Sequence, residues 1–218
     1  MDLPKKVYKY FSLKTNDEIF RVKNILENQH VYFSKIFEFN DPFEGYSLYP
    51  SNSLNTKYDK IQLDFERKKI NESYGVCCFT SNLNDIRMWT QYADSCKGIC
   101  IEFDSEFGIL KDLKKVNYVE AFDKFTNKES LLNKHRNWSH EKELRLISEE
   151  YIGKCSDVQS VRISGVYYLN VRHEKNDNIS EIYTTAMMLG LVVHTNSGLL
   201  NNDYTFDFKV DADFSRSK

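Results

Sequence analysis

WSHEKELRLIS, residues 138–148, decides how the rest of this chain is read. Over 141–148 polar and apolar residues alternate with the period of a β-strand. Leu144 and Leu146 then share one face, and Glu141, Glu143, Arg145 and Ile147 the other. Two carboxylates in succession on one face repel each other. That cost is tolerable if the face is solvated and Arg145 pairs with a glutamate, or if the face lines a polar cleft or meets a cation.

Outward from this strand, β-rich or alternating runs recur at VYKYF (7–11), VYFS (31–34), GVCCFT (75–80), GICIEF (98–103), KVNYVEAF (115–122), VRISGVYYLNV (161–171), LVVH (191–194) and YTFDFKV (204–210). Helical spacing predicts a helix over 16–28, opened by the capping box Thr15-Asn16-Asp17-Glu18 and carrying Ile19, Val22, Ile25 and Leu26 on one face. A second, over 58–72, sets Tyr58, Ile61 and Phe65 on its apolar side. Others are expected over 84–94, with Ile86, Trp89 and Ala93 together, over 127–138, and over 179–190, stopped by Gly190. Helices and strands mix without strict βαβα alternation, and neither a GxGxxG nor a GxxxxGK[ST] motif is present. The expected fold is a single α+β domain over 1–218, with an antiparallel-rich sheet and peripheral helices.

The bulk numbers narrow the function classes. Lys+Arg 30 against Asp+Glu 32 gives a formal net charge of -2, so no strong field draws the chain to nucleic acid or an anionic membrane. The longest apolar runs, such as AMMLGLVVH, fall short of a bilayer span, and MDLPKKVYKYF has no run of signal-peptide length. The five cysteines (77, 78, 96, 100 and 155) are odd in number and neither paired nor spaced as zinc ligands, which fits reduced thiols in a cytoplasm. Cys77 and Cys78 lie in an apolar strand, where a thiol is inert.

Polar residues collect at three further places. In FNDPFEG (39–45) Pro42 stiffens a turn, Asn40 and Asp41 offer hydrogen bonds, and Gly45 permits close approach. That loop either holds part of a site or is pinned to the sheet by pairing of Asp41 and Glu44 with Arg145 or Lys97. In CCFTSNLNDIRMWTQYAD, the hydroxyls Thr80 and Ser81 leave a buried strand and a short helix carries Trp89 and Tyr92. Ser81 or Asn82 is placed to cap that helix, with Trp89 filling the core. On the first strand Tyr8 and Tyr10 share one face and Lys9 takes the other.

The succession YKYF, VYFS, FNDPFEG, CCFTSN, MWTQYADSCKGICIEFD, VNYVE and WSHEKELRLI resembles the 2971 family of bacterial domains of unknown function, over about residues 7–150. A more distant likeness is to ADP-ribosyltransferases. It rests on a first strand with a tyrosine or basic residue, a strand ending in a hydroxyl, and a late strand bearing E-x-E. This likeness implies NAD as substrate, with Glu143 bonding the nicotinamide ribose and Glu141 orienting or deprotonating an acceptor. It also implies a first-strand contact from Tyr8, Lys9 or Tyr10, a hydroxyl from Ser34 or Ser81, and aromatic stacking by Tyr8, Tyr10 or Trp89. The first strand departs from that pattern, having neither His nor Arg before Arg21. The expected function is an NAD-dependent ADP-ribosyltransferase-like enzyme, a bacterial toxin or defence effector acting on protein or nucleic acid. The alternatives are a non-catalytic nucleotide- or protein-binding module, and a metal-dependent phosphodiesterase built on Asp41, Glu44, Glu102 and Glu143.

Overall fold

The computed structural model describes residues 3–45, 56–121, 127–170, 177–196, 205–213 and 215. In chain order the elements are β1 (Lys6–Phe11), α1 (Asn16–Asn28), β2 (Tyr32–Phe33), α2 (Lys57–Ser73), β3 (Gly75–Thr80), α3 (Ile86–Tyr92), β4 (Ile99–Asp104), β5 (Lys114–Lys115), β6 (Asn117–Val119), α4 (Asn127–Ser130), β7 (Asn133–His135), β8 (Glu143–Ser148), β9 (Lys154–Cys155), β10 (Ile163–Tyr168), α5 (Asp177–Leu189), β11 (Val192–Asn196) and β12 (Phe208–Asp213). The fold is α+β with mostly antiparallel pairing. Phe122, Val171 and Tyr204, at the ends of three expected strands, lie outside the described residues. Among the described residues no helix is long and apolar enough to cross a membrane.

Within this α+β fold the chain divides into two compact units. The first takes residues 1–30, 80–111 and 157–218; the second takes 31–79 and 112–156. The chain passes between them four times, so no linker marks the division.

The first unit is built on strands in the order β12-β11-β10-β4-β1. β1 runs antiparallel to β4, and β4 to β10, with Tyr8 opposite Glu102 and Glu102 opposite Gly165. β10 and β11 are parallel, joined by the crossover through α5. One face carries Val7, Phe103, Ile101, Val166 and Val193 in register, all buried. On the other, Tyr10, Cys100 and Tyr167 form a cluster with Met88, Trp89 and Ala93 of the α3 region and with Phe206. α1 has the expected bounds and buried face, and its capping box is formed by Thr15 and Glu18. α1 packs on α5, which Gly190 ends at φ 68.

The second unit places β3 beside β8 and pairs β8 antiparallel with β5; the small pairs β2–β9 and β6–β7 complete it. Its apolar core joins Ile36, Leu63, Ile70, Val76 and Leu131. Two expectations fail here. The helix expected over 127–138 is only α4, followed by β7 and a 3-10 turn over Arg136–Glu141. Asn133 turns its amide back onto the Glu129 carbonyl, 2.7 Å away, and the segment pairs with β6 instead of continuing the helix. α2 forms where expected but buries Leu63 and Ile70. Tyr58, Ile61 and Phe65, the face expected to be inward, are 84%, 55% and 56% exposed.

Candidate functional site

The strand that opened the reading begins at Glu143, not Glu141. Glu141 ends the 3-10 turn, and Lys142 stands between them at φ 44, in the left-handed region. The alternation holds from Glu143 onward, but neither face is solvated: Glu143 is 7% and Arg145 0% exposed, and Leu144 and Leu146 are buried too. The acidic face meets cations.

Arg145 is the hub. Its Nε and Nη2 donate to the two oxygens of Glu143 at 2.8 and 3.0 Å, a bidentate pair. Nη1 donates to the Leu131 carbonyl at 2.7 Å, and Nη2 also lies 2.6 Å from Glu44 Oε1. Lys134 is equally buried. Its ammonium reaches Glu141 at 2.5 Å and Glu143 at 3.3 Å, and lies 4.6 Å from the centre of the Trp138 ring. The Glu143 backbone N–H donates to the Tyr118 hydroxyl at 2.8 Å.

FNDPFEG is therefore tied down from both ends. Asp41 accepts from the Phe43 N–H at 2.9 Å in a side-chain-closed turn, and Gly45 closes the loop at φ 77. Arg67 of α2 donates to the Pro42 and Glu44 carbonyls at 3.0 and 2.9 Å, while the Glu44 carboxylate pairs with Arg145. The pairing of Glu44 with Arg145 is the pinned alternative. Asp41 is buried in its own turn, and Asn40 is exposed beside it.

Burial alone would push the Glu44 and Glu143 carboxyls up. At Glu143 the charges of Arg145 and Lys134 outweigh burial and hold the group well below its ordinary range. At Glu44 burial wins over Arg145, and the Glu143 charge adds to it, so its pKa is raised. Burial lowers Lys134 and Arg145, but the facing glutamates more than reverse this and keep both charged.

Opposite pH dependences follow. Glu143, depressed in the fold, gives stability that is present above its unfolded value and lost as pH falls from about 4.5 towards 2. Glu44, raised in the fold, binds a proton that the unfolded chain has released, so its contribution falls as pH rises above 4.5. In urea unfolding across this range, Glu44→Gln is expected to remove the decline on the alkaline side and to leave the acid limb in place. Superimposable wild-type and Glu44→Gln profiles would contradict this.

The remaining expected site residues fall in two sets. In the first unit Tyr8 stands opposite Thr80, the last residue of β3. Thr80 is buried and accepts from the Asn82 N–H at 2.9 Å, while Ser81 is exposed. Asp85, not Ser81 or Asn82, caps α3, accepting from the Arg87 N–H. Tyr10 donates to the Asn82 and Leu83 carbonyls at 3.0 and 2.9 Å, and Trp89, fully buried, donates to the Leu83 carbonyl at 2.8 Å. Lys9 and Tyr92 are half-buried. In the second unit Ser34 bridges to Val76 through its backbone. Of the four acids of the phosphodiesterase alternative, Glu102 belongs to the first unit and Asp41, Glu44 and Glu143 to the second, where Glu44 and Glu143 both lean on Arg145. Among the described residues no three metal-ligating side chains come together.

A second polar cluster surrounds Glu102. Its carboxylate accepts from Lys6 at 2.6 Å, Ser164 at 2.7 Å and Tyr167 at 2.7 Å. Burial pushes this acid up, but those donors prevail and hold it ionised. Tyr167 in turn stacks on His194, ring centres 4.3 Å apart. Burial lowers the His194 pKa, leaving it neutral at pH 7. The sequence shows Glu102 near a strand end; its partners are 62 to 96 residues away, and Lys134 looks like any surface lysine.

No family profile matches the chain, and no solved structure matches it. Over 91 residues, 35% of this chain, it is 31% identical to the uncharacterized protein ORF64 of Ostreid herpesvirus 1 (isolate France), covering 22% of that protein. The chain thus spans about a fifth of the relative's length.

Proposed function

We propose that the protein is an ADP-ribosyltransferase-like enzyme with NAD as substrate, and that Glu143 is the carboxylate that stabilises the ribosyl cation. The supporting observation is an ionised carboxylate kept out of water: Glu143 is buried, and Arg145 and Lys134 hold it well below its ordinary range, so its negative charge is fixed where water screens it least. Heterolysis of the nicotinamide–ribose bond sends the electron pair to the nicotinamide nitrogen and leaves a positive, oxocarbenium-like C1′. A fixed negative charge lowers that barrier. A nucleophile on the acceptor then bonds to C1′ and loses its proton. Glu143, held ionised, is suited to this electrostatic part and not to giving up a proton.

One observation favours a second reading, a nucleotide-binding module without turnover. Both Glu143 oxygens already have cationic partners inside the fold. The same experiment separates the two. Under the first, the wild type releases nicotinamide from NAD, and Glu143→Gln, with its fold verified by circular dichroism, is slower by about 100-fold or more. Under the second, NAD raises the melting temperature and no nicotinamide appears. A wild type that neither binds NAD nor releases nicotinamide overturns both.

A further inference from the structure

The α2 helix presents a second apolar face that the fold does not use. Its inward side is fixed by Leu63 and Ile70 and by Arg67, which is bonded to the Pro42 and Glu44 carbonyls; Thr56 and Asp59 fix its start through a capping box. The outward side is consequently set as well. Tyr58, Ile61 and Phe65 stand on it at helical spacing, with Glu72 following on the same side and the exposed Lys57, Lys68 and Lys69 at its margins. Lys69 already lies over the Phe65 ring, 4.5 Å from its centre. Three large apolar side chains, each more than half exposed on one rigid stripe, are a surface that association would bury.

We infer that this stripe is a self-association surface, on which α2 of a second copy lies antiparallel about a two-fold axis near Phe65. The charges choose both occupant and direction. Positions 58 and 72 lie seven residues on either side of 65, so an antiparallel copy brings Lys57 and Tyr58 of one chain against Glu72 of the other, at both ends of the contact. Ile61 then meets the aliphatic stems of Lys68 and Lys69 across the axis. A parallel copy would set Lys57 against Lys57 and Lys68 against Lys68. A two-fold contact uses one patch twice and closes on itself. From Tyr58 to Glu72 the stripe is about 21 Å long at ~1.5 Å per residue. Such a contact is smaller than the ~800 Å² per partner of a standard interface, so the dimer is weak and concentration-dependent. This inference is independent of the catalytic reading.

Sedimentation velocity of the full chain tests it, from about 5 µM to about 500 µM, a range suited to weak pairs. The wild type is expected to shift reversibly from monomer to dimer. Phe65→Ser should weaken the association by at least about tenfold, since it removes the residue on the axis. Lys57→Glu and Glu72→Lys should each weaken it, and the double reversal should restore it. All these side chains are exposed, so the fold is retained, as circular dichroism will verify. A wild type that stays monomeric throughout overturns the inference, as does a dimer insensitive to Phe65→Ser or a double reversal that restores nothing. Association that appears only with an added acidic, apolar-striped helical peptide would identify a different occupant and overturn the second-copy assignment.

Discussion

Arg145→Ala is expected to destabilise the protein by about 3–5 kcal/mol, the range for breaking a buried ion pair from one side. Arg145 is fully buried, pairs with the Glu44 carboxylate, holds Glu143 in a bidentate pair, and donates to the Leu131 carbonyl. Removing it strands two buried carboxylates beside Glu141 with Lys134 as the remaining cation of the cluster. It also frees one end of FNDPFEG. Chemical denaturation would show the loss as a lower midpoint. Adding Glu44→Gln should recover part of it, because one stranded acid is then replaced by a neutral amide. A loss of less than about 1 kcal/mol, the scale of an exposed pair, would mean that the cluster is far more hydrated than its burial indicates.

Trp89→Ala is the second large effect, again about 3–5 kcal/mol, as for other buried aromatic-to-alanine changes. The indole is fully buried. It packs edge-on against Tyr10 at 5.0 Å and stacked on Phe208 at 5.9 Å, and its N–H donates to the Leu83 carbonyl. Trp89→Phe fills most of the space and loses the indole N–H bond, while Tyr10 still donates to that carbonyl, so a smaller loss of about 1 kcal/mol is expected. Equal losses for the two variants would show that the hydrogen bond, and not the ring volume, dominates. Near-ultraviolet circular dichroism would report the repacking of the surrounding rings.

What was legible in the sequence was local. Thr15 and Glu18 bond each other's backbones three residues apart, so the start of α1 can be read from four letters, and Gly190 at positive φ ends α5 where its lack of a side chain suggests. What failed depended on contacts from far along the chain. α2 has two apolar stripes, and the larger one, with Tyr58, Ile61 and Phe65, points outward because Arg67 is held by the Pro42 and Glu44 carbonyls more than twenty residues earlier. KHRNWSHE gives no sign that Lys134 is a buried counter-ion, since lysine at that spacing is usually solvated. The Glu143–Arg145 face was visible as a pattern, but whether water or cations met it was decided by Lys134 and Glu44. For the Glu102 cluster the sequence held one acid at a strand end and no pointer to Lys6, Ser164 or Tyr167.

The four passages of the backbone between the units bear on how this protein can be taken apart. No single scission liberates either half intact, because each half borrows its pieces from separated stretches of the polypeptide. Trimming from either end takes strands from the first half without isolating the second, which is itself interrupted by residues 80–111, so a silent fragment would say little about which half holds the chemistry. Assigning work to one half or the other has to proceed by exchanging individual side chains in the whole molecule.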